Sequence, residues 1–311
     1  AGQQYQGNFA TAVGYNAGST DQNPFATAIG VNAGEVNQGE HTVSIGDSSG
    51  RYNQATYAVA VGSGAGRTNQ SRDAVAIGVS SGACYQGFAA VAVGQQSGRM
   101  TQGSGAVAIG SDAGRVFQGT NSVAVGIFSG EFTQSINAIA IGTAAGQFDQ
   151  GSYAIAIGAF AGMTGQAANS IYLNASGTEP DDPTYQTEQG FFVNPVRGIA
   201  GVNQLYYNTT TNEISYLPST RSTKTEITAL TDDTSVLFNV APQTYRYRSD
   251  LGAGRQIGYI ADEVPTVLAM HDKDGIPINI NWNAMTVFVI EELRKVRAEL
   301  AELKKIVTSA T

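Results

Sequence analysis

Lysine is missing from positions 1–166 of this 311-residue chain, which also has a single cysteine and only two histidines. Cys84 has no second cysteine to pair with, so an intrachain disulfide is excluded. His41 and His271 lie far apart and have no cysteine or acidic companion at metal-ligand spacing. The sequence therefore predicts no metal site and no bound cofactor.

Charge and long apolar runs are also scarce. Charged residues make up 14% of the chain, and the net charge is -8. A nucleic-acid partner is not expected, because binding to the phosphate backbone needs clustered lysine and arginine. Apolar runs such as residues 154–161 are short and interrupted by glycine, so we expect no insertion into a membrane.

Glycine is abundant, and its spacing is strictly periodic. One series, called here the anchor glycines, recurs at every sixteenth position: Gly14, Gly30, Gly46, Gly62, Gly78, Gly94, Gly110, Gly126, Gly142 and Gly158. A second glycine series, from Gly18 to Gly162, and a glutamine series, from Gln6 to Gln166, keep the same step. An insertion in any loop would break this register, so each repeat is predicted to be one turn of a solenoid.

Each repeat contains two strand patterns. Small and β-branched residues alternate before each anchor glycine, as in residues 74–77, which predicts a strand with alanine on one face and valine or isoleucine on the other. A second, shorter strand is predicted to end at each glutamine, as in residues 51–54. Stacked turns would place the glutamines in a hydrogen-bonded column. A coil this thin encloses little core, so we expect several chains to pack their alanine faces together.

The repeated motif S/A-V-A-V/I-G, followed by A/S-G, covers residues 5–177 and resembles the left-handed parallel β-roll of YadA-like heads in trimeric adhesins. The resemblance implies a homotrimer with three rolls side by side around a threefold axis. Similar repeats occur in fibres of phages and large viruses. The fold class expected for residues 1–177 is therefore a mainly β, trimeric, left-handed parallel β-roll solenoid.

The periodic pattern decays at its carboxy-terminal end. Asn174 takes the position of an anchor glycine, and the prolines of residues 178–183 predict a domain boundary. Residues 178–218 are predicted to form a neck of short strands, with a strand at 191–195 and a hairpin made by 205–207 and 213–216. The aromatic residues of these strands are either the interchain core of a trimeric neck or a sugar-binding platform.

Residues 219–311 differ in composition from the repeats, and their last segment carries a heptad pattern. Apolar residues alternate there at spacings of four and three, at Val289, Leu293, Val296, Leu300, Leu303 and Val307. This seam predicts a coiled-coil helix that joins separate chains. The alternative is a single amphipathic helix that packs on its own domain.

Three carboxy-terminal motifs occur in the order of a known domain. Residues 219–227, the group 245–247 and the block 257–264 resemble the endosialidase-type intramolecular chaperone, a self-cleaving domain at the end of phage tail spikes and fibres. The resemblance implies that Ser219 attacks the adjacent peptide bond with the help of Lys224 once the trimer has folded. In general a lysine serves as base for a serine only where burial removes its proton. Thr220 stands where the family usually has an acid or an amide, and Ser222 where it usually has arginine.

The two resemblances together imply a homotrimeric virion fibre or tail spike that attaches to a host cell-surface receptor, most simply a glycan. It would be assembled in the host cytoplasm with other virion proteins, and its only enzymatic activity would be a single self-cleavage. The alternatives are a fragment of a capsular polysaccharide depolymerase and a cell-surface trimeric adhesin. A depolymerase needs two carboxylates a few ångströms apart, whereas the acidic residues of the repeats do not recur at one position.

Overall fold

The protein is described by a computed structural model, which is mainly β with one long carboxy-terminal helix. The described residues are 1–178, 189–194, 196, 205–208, 211, 213–215, 220–248, 254–272 and 274–309. Contacts within the chain divide it into two units, Ala1–Arg197 and Gly198–Thr311. Each unit has its own architecture.

The first unit is a parallel β-solenoid in which every turn adds one strand to each of two sheets. The glutamine sheet consists of ten strands, Gln4–Gln6, Thr20–Gln22, Val36–Gln38, Tyr52–Gln54, Thr68–Gln70, Cys84–Gln86, Met100–Gln102, Val116–Gln118, Phe132–Gln134 and Phe148–Gln150. The anchor sheet consists of twelve strands, Thr11–Val13, Thr27–Ile29, Val43–Ile45, Val59–Val61, Val75–Ile77, Val91–Val93, Val107–Ile109, Val123–Val125, Ile139–Ile141, Ile155–Ile157, Ile171–Asn174 and Phe191–Asn194. Both predicted strand patterns are confirmed.

The register of the sheets repeats without a slip through the glycine-anchored turns. Val75 pairs with Val91, and Gln86 pairs with Gln102, so that each residue meets its equivalent in the next turn. Like residues therefore stack on like residues, which is the arrangement the constant spacing predicts.

The interior of the coil is made of alanine and glutamine. In the anchor strands from Thr27–Ile29 to Ile155–Ile157 the central residue is completely buried within one chain, as at Ala76, Ala108 and Ala140, whereas Ala12 of the first strand is partly buried. The expectation that alanine faces pack between chains is therefore wrong. The small alanine side chain lets the two sheets approach closely, so one turn of the chain closes around its own alanines and directs valine and isoleucine outward.

The two glycine series are required by the backbone of each turn. Anchor glycines have φ near +125°, and a Cβ on Gly94 would lie 2.5 Å from the carbonyl oxygen of Gly110 in the next turn. A Cβ on Gly98 would lie 2.7 Å from the side-chain carbon of Gln102, at φ +51°. Only glycine satisfies both the backbone angle and the close approach at the anchor position.

The solenoid sheet continues beyond the glycine-anchored repeats. Strand Ile171–Asn174 pairs in parallel with Ile155–Ile157, and strand Phe191–Asn194 pairs in parallel with Ile171–Asn174. The ring of Tyr172, with Phe192 stacked on it at 4.4 Å, takes the place of the interior alanine and covers the last turns. Burial raises the pKa of the Tyr172 hydroxyl to about 12. Of the predicted boundary at 178–183, only Thr178 lies within the described residues.

The second unit combines short antiparallel pairs with the terminal helix. The predicted hairpin is present as Tyr206–Asn208 paired with Glu213–Ser215. Two further pairs are Gln243–Tyr245 with Gln256–Gly258, and Ala269–His271 with Pro277–Ile280. Among the described residues of this unit, the other elements are the 3-10 helices Arg221–Thr223, Thr234–Asn239, Ala261–Glu263 and Thr266–Leu268, and the α-helix Trp282–Ser309, here α1.

The core of this unit is formed where the first turns of α1 meet the short elements. Met285 and Phe288 of the helix are buried against Leu268 and Ile280. After Phe288, the apolar side chains of the helix are not buried by any described residue of the same chain. No helix of the described residues is both long and apolar enough to cross a bilayer.

Candidate cleavage site and chaperone module

The predicted cleavage segment is a short, exposed turn. Thr220 caps the 3-10 helix Arg221–Thr223, its backbone N–H donates to the side chain of Thr223 at 3.2 Å, and the Thr223 hydroxyl donates back to the carbonyl oxygen of Thr220 at 2.9 Å. Lys224 follows directly, and its backbone N–H donates to the carbonyl oxygen of Arg221 at 3.4 Å. This reciprocal capping explains why a run of threonine and serine forms a defined turn here.

Of the two predicted catalytic residues, Lys224 is exposed within a single chain, and Ser219 lies outside the described residues. Residues 220–230 are all exposed. A lysine ammonium gives up its proton readily only where it is desolvated. Assembly would have to bury this segment before the pair could react, and the pair remains a prediction.

The block at residues 257–264 begins at the strand Gln256–Gly258 and includes the 3-10 helix Ala261–Glu263. Gly258 pairs with Gln243 across the two strands, and a Cβ on Gly258 would lie 3.0 Å from the hydroxyl oxygen of Tyr245. Tyr259, Ala261 and Val264 pack on the core of the unit. The conspicuous residues of this block are therefore structural, because they dock the strand pair on the base of α1.

A cluster not foreseen from the sequence fastens the 3-10 helix Thr234–Asn239 to α1. The buried hydroxyl of Thr234 donates to the carboxylate of Glu292, and Lys295 Nζ donates to Thr234 Oγ1 at 2.7 Å and to Glu292 Oε1 at 2.6 Å. These donors hold the pKa of Glu292 below its usual value, with Lys295 the larger cause. Glu292 in turn raises the pKa of Lys295, so this lysine stays protonated and holds the helices together rather than acting as a base.

The heptad seam lies on α1 as predicted, and it is exposed. Between 42% and 63% of the accessible surface of its six residues remains open in the single chain, at Val289, Leu293, Val296, Leu300, Leu303 and Val307. Glutamate, lysine and arginine occupy most of the other positions of this half of the helix, with ion pairs such as Arg294–Glu291 and Lys305–Glu302. An apolar stripe between charged flanks is typical of a helix that associates with other helices.

Comparison with protein families finds a match within the second unit. The family described as chaperone of endosialidase, Peptidase S74, matches residues 219–273. Searches of curated proteins and of solved structures find no match to the chain. The match begins at the residue predicted to be the nucleophile and includes the block at 257–264, which confirms the resemblance inferred from those motifs. The chain thus joins a parallel β-solenoid of short, equal repeats to an endosialidase-type chaperone domain, as a tail-fibre-like protein does.

Proposed function

We propose that this chain is a homotrimeric virion fibre or tail-spike protein that attaches to a glycan receptor on a host cell. Its carboxy-terminal domain would bring three chains together, guide their folding and then cleave itself off at Ser219. The observation that carries this proposal is the chaperone-family match directly after a repeat solenoid. The proposal includes three domains: the solenoid at 1–177, the neck at 178–218 and the chaperone module at 219–311.

The anchor sheet supports an assembly of several chains. The third residue of its strands points valine and isoleucine outward along the whole solenoid, and Ile77, Ile109, Ile141 and Ile157 remain about 40% exposed. Continuous apolar surfaces of this kind mark association sites. Side-by-side packing of these outer faces, rather than of the alanine faces, would join the solenoids.

The exposed seam of α1 supports an assembly role for the second unit. Three helices that bury this seam against each other would place the three solenoid chains in a common register. Register matters here because successive turns are nearly identical, so a slip of one whole turn costs few contacts. Local helix association is also faster than the long-range strand pairing of a solenoid.

Self-cleavage would depend on the same assembly. The Ser219 hydroxyl would attack the carbonyl carbon of the peptide bond that precedes it, while the amine of Lys224 takes the hydroxyl proton. The C–N bond of that peptide would then break as Lys224 passes the proton to the released amino group of Ser219, which leaves residue 218 joined to the serine oxygen as an ester. Hydrolysis of the resulting ester would release residues 219–311. Nucleophile and target lie in one chain, which provides a very high effective concentration. Burial of Lys224 only in the trimer would restrict cleavage to correctly assembled protein.

Two experiments test this proposal. Native mass spectrometry and a denaturing gel of the purified protein should show a trimer and a fragment of residues 219–311, and both Ser219→Ala and Lys224→Ala should abolish the fragment. Lys304→Ala, at an exposed position of α1, is the matched lysine control and should cleave normally. Absence of the fragment from the unaltered protein would refute self-cleavage. Soluble trimer obtained at normal yield from residues 1–218 alone would refute the chaperone role.

A further inference from the structure

One column of the solenoid has a symmetric charge pattern that the proposed assembly does not use. It consists of the residue that precedes each strand of the glutamine sheet, so that successive members lie one turn apart. In chain order its central members are Glu35, Arg51, Arg67, Ala83, Arg99, Arg115 and Glu131. Four of the five arginines of the solenoid lie in this column, arranged symmetrically about Ala83.

The outer arginines are neutralised and the inner ones are not. Arg51 pairs with Glu35 at 2.5 Å, and Arg115 pairs with Glu131 at 2.8 Å. Arg67 forms no ion pair with a described residue, and Arg99 donates only to the neutral side chain of Gln96, at 3.1 Å. The fifth arginine of the solenoid, Arg72, is paired with Asp73 in another column. Two uncompensated guanidinium groups therefore flank a single turn.

That turn carries a notch between the two arginines. Ala83 contributes only a methyl group to the column, and a cleft of about 210 Å³ opens above it, lined by Arg67, Arg99, Gly64, Ser80 and Cys84. Two turns separate the arginines by roughly 10 Å, so both guanidinium groups can reach one small group placed over Ala83. Guanidinium donors match the paired oxygens of a carboxylate or a sulfate.

We propose that this notch binds one oxyanion group, a carboxylate or a sulfate, carried by an acidic oligosaccharide. The small volume admits one charged group, and the net charge of -8 disfavours an extended polyanion along the whole chain. A sugar is favoured over a free anion because the receptor proposed above is a glycan. This inference specifies the chemical class of the receptor, so it rests on the proposed attachment function.

The first test measures the charge of the notch without any sugar. Cys84 is the only thiol in the chain and lines the cleft, so its alkylation by iodoacetate relative to neutral iodoacetamide reports the local potential. The ratio should fall at least about threefold when Arg67→Gln and Arg99→Gln are combined, and also in roughly 0.5 M salt. Arg72→Gln removes the same charge elsewhere and should leave the ratio unchanged. Equal ratios in all variants would overturn the proposal.

The second test measures sugar binding by the full-length protein. Carboxylated and sulfated oligosaccharides should bind, and neutral oligosaccharides of the same length should not. Ala83→Glu places a carboxylate between Arg67 and Arg99, as Glu35 and Glu131 do beside the outer arginines, and should reduce binding at least about tenfold. The double arginine variant should reduce binding by a similar factor. Circular dichroism confirms that each variant is folded.

The outcomes separate this inference from the proposed function. Acidic sugars that bind equally well to Ala83→Glu and to the unaltered protein would refute the notch while leaving attachment intact. A notch that attracts iodoacetate but binds none of the sugars would refute the oligosaccharide ligand. Loss of binding in Arg72→Gln as large as in the double variant would show that the effect is one of total charge, which would also overturn the proposal.

Discussion

Gln134 donates its side-chain amide to the side-chain oxygen of Gln150, 3.0 Å away and one full turn along the solenoid. The same amide donates to the backbone carbonyl of Val123, at 2.9 Å, in the opposite sheet. Most of the buried glutamines thus link two neighbouring turns and both sheets, whereas the side-chain oxygens of Gln22, Gln38 and Gln102 accept no hydrogen bond from a described residue. A polar residue can occupy the centre of so thin a coil because its side-chain amide donates to a backbone carbonyl of the opposite sheet and, at most positions, its oxygen accepts from the neighbouring glutamine.

Removing one rung of this column should destabilise the solenoid. Gln134→Ala takes an acceptor from the Gln118 amide and the donor from the Gln150 oxygen and opens a cavity, so the free energy of unfolding should fall by about 2–4 kcal/mol. Thermal unfolding followed by circular dichroism measures this. Gln6→Ala, at the exposed first turn, should change it by less than about 0.5 kcal/mol. Equal effects at the two positions would show that the column contributes no stability.

The anchor glycines should tolerate no side chain. Gly94→Ala forces a Cβ to within 2.5 Å of the Gly110 carbonyl oxygen, which cannot move without breaking the sheet, and should cost at least about 3 kcal/mol. Gly64→Asn is the matched control, since Gly64 also has positive φ but has no atom within 3.4 Å of its Cβ position. Asn16 and Asn32 adopt that conformation at the same position of other turns. Denaturant titration should therefore show normal stability for Gly64→Asn.

A charge on the helix seam should prevent assembly. Leu300→Asp places a carboxylate on the exposed apolar stripe of α1 and should shift the protein from trimer to monomer or aggregate in analytical ultracentrifugation. Ala298→Asp adds the same charge on the opposite side of the helix and should leave the trimer unchanged. Trimer of normal stability in Leu300→Asp would show that the seam is not the contact between chains.

Acid should loosen the contact between α1 and the 3-10 helix Thr234–Asn239. The pKa of Glu292 lies below its usual value of 4.5, so its contribution to stability is complete above that pH and is lost as the pH falls further. Trp282, the only tryptophan, begins α1 and reports unfolding by fluorescence. Glu292→Gln should lower stability at neutral pH and flatten its decline in acid. Glu302→Gln, which removes a highly exposed ion pair, should change neither.

The sequence was informative wherever a constraint is local or strictly repeated. The constant step of the glycine and glutamine series predicts the solenoid, its parallel register and the glutamine column, because a uniform stack admits no other arrangement of equal turns. The spacing of four and three between the six seam residues likewise predicts the helix α1. The motifs at 219–227 and 257–264 predict the chaperone domain.

The direction of the alanine face was decided by tertiary structure alone. Alternation shows that Ala76 and Ile77 point to opposite sides of a strand, but both are apolar, so the pattern does not reveal which side turns inward. That choice depends on the turns, where non-glycine residues such as Asn16 and Phe25 adopt positive φ. The cluster of Thr234, Glu292 and Lys295 was equally hidden, because its members lie far apart in sequence and meet only when the chain folds. Spacing along the chain determines what repeats, whereas long-range packing determines what is buried.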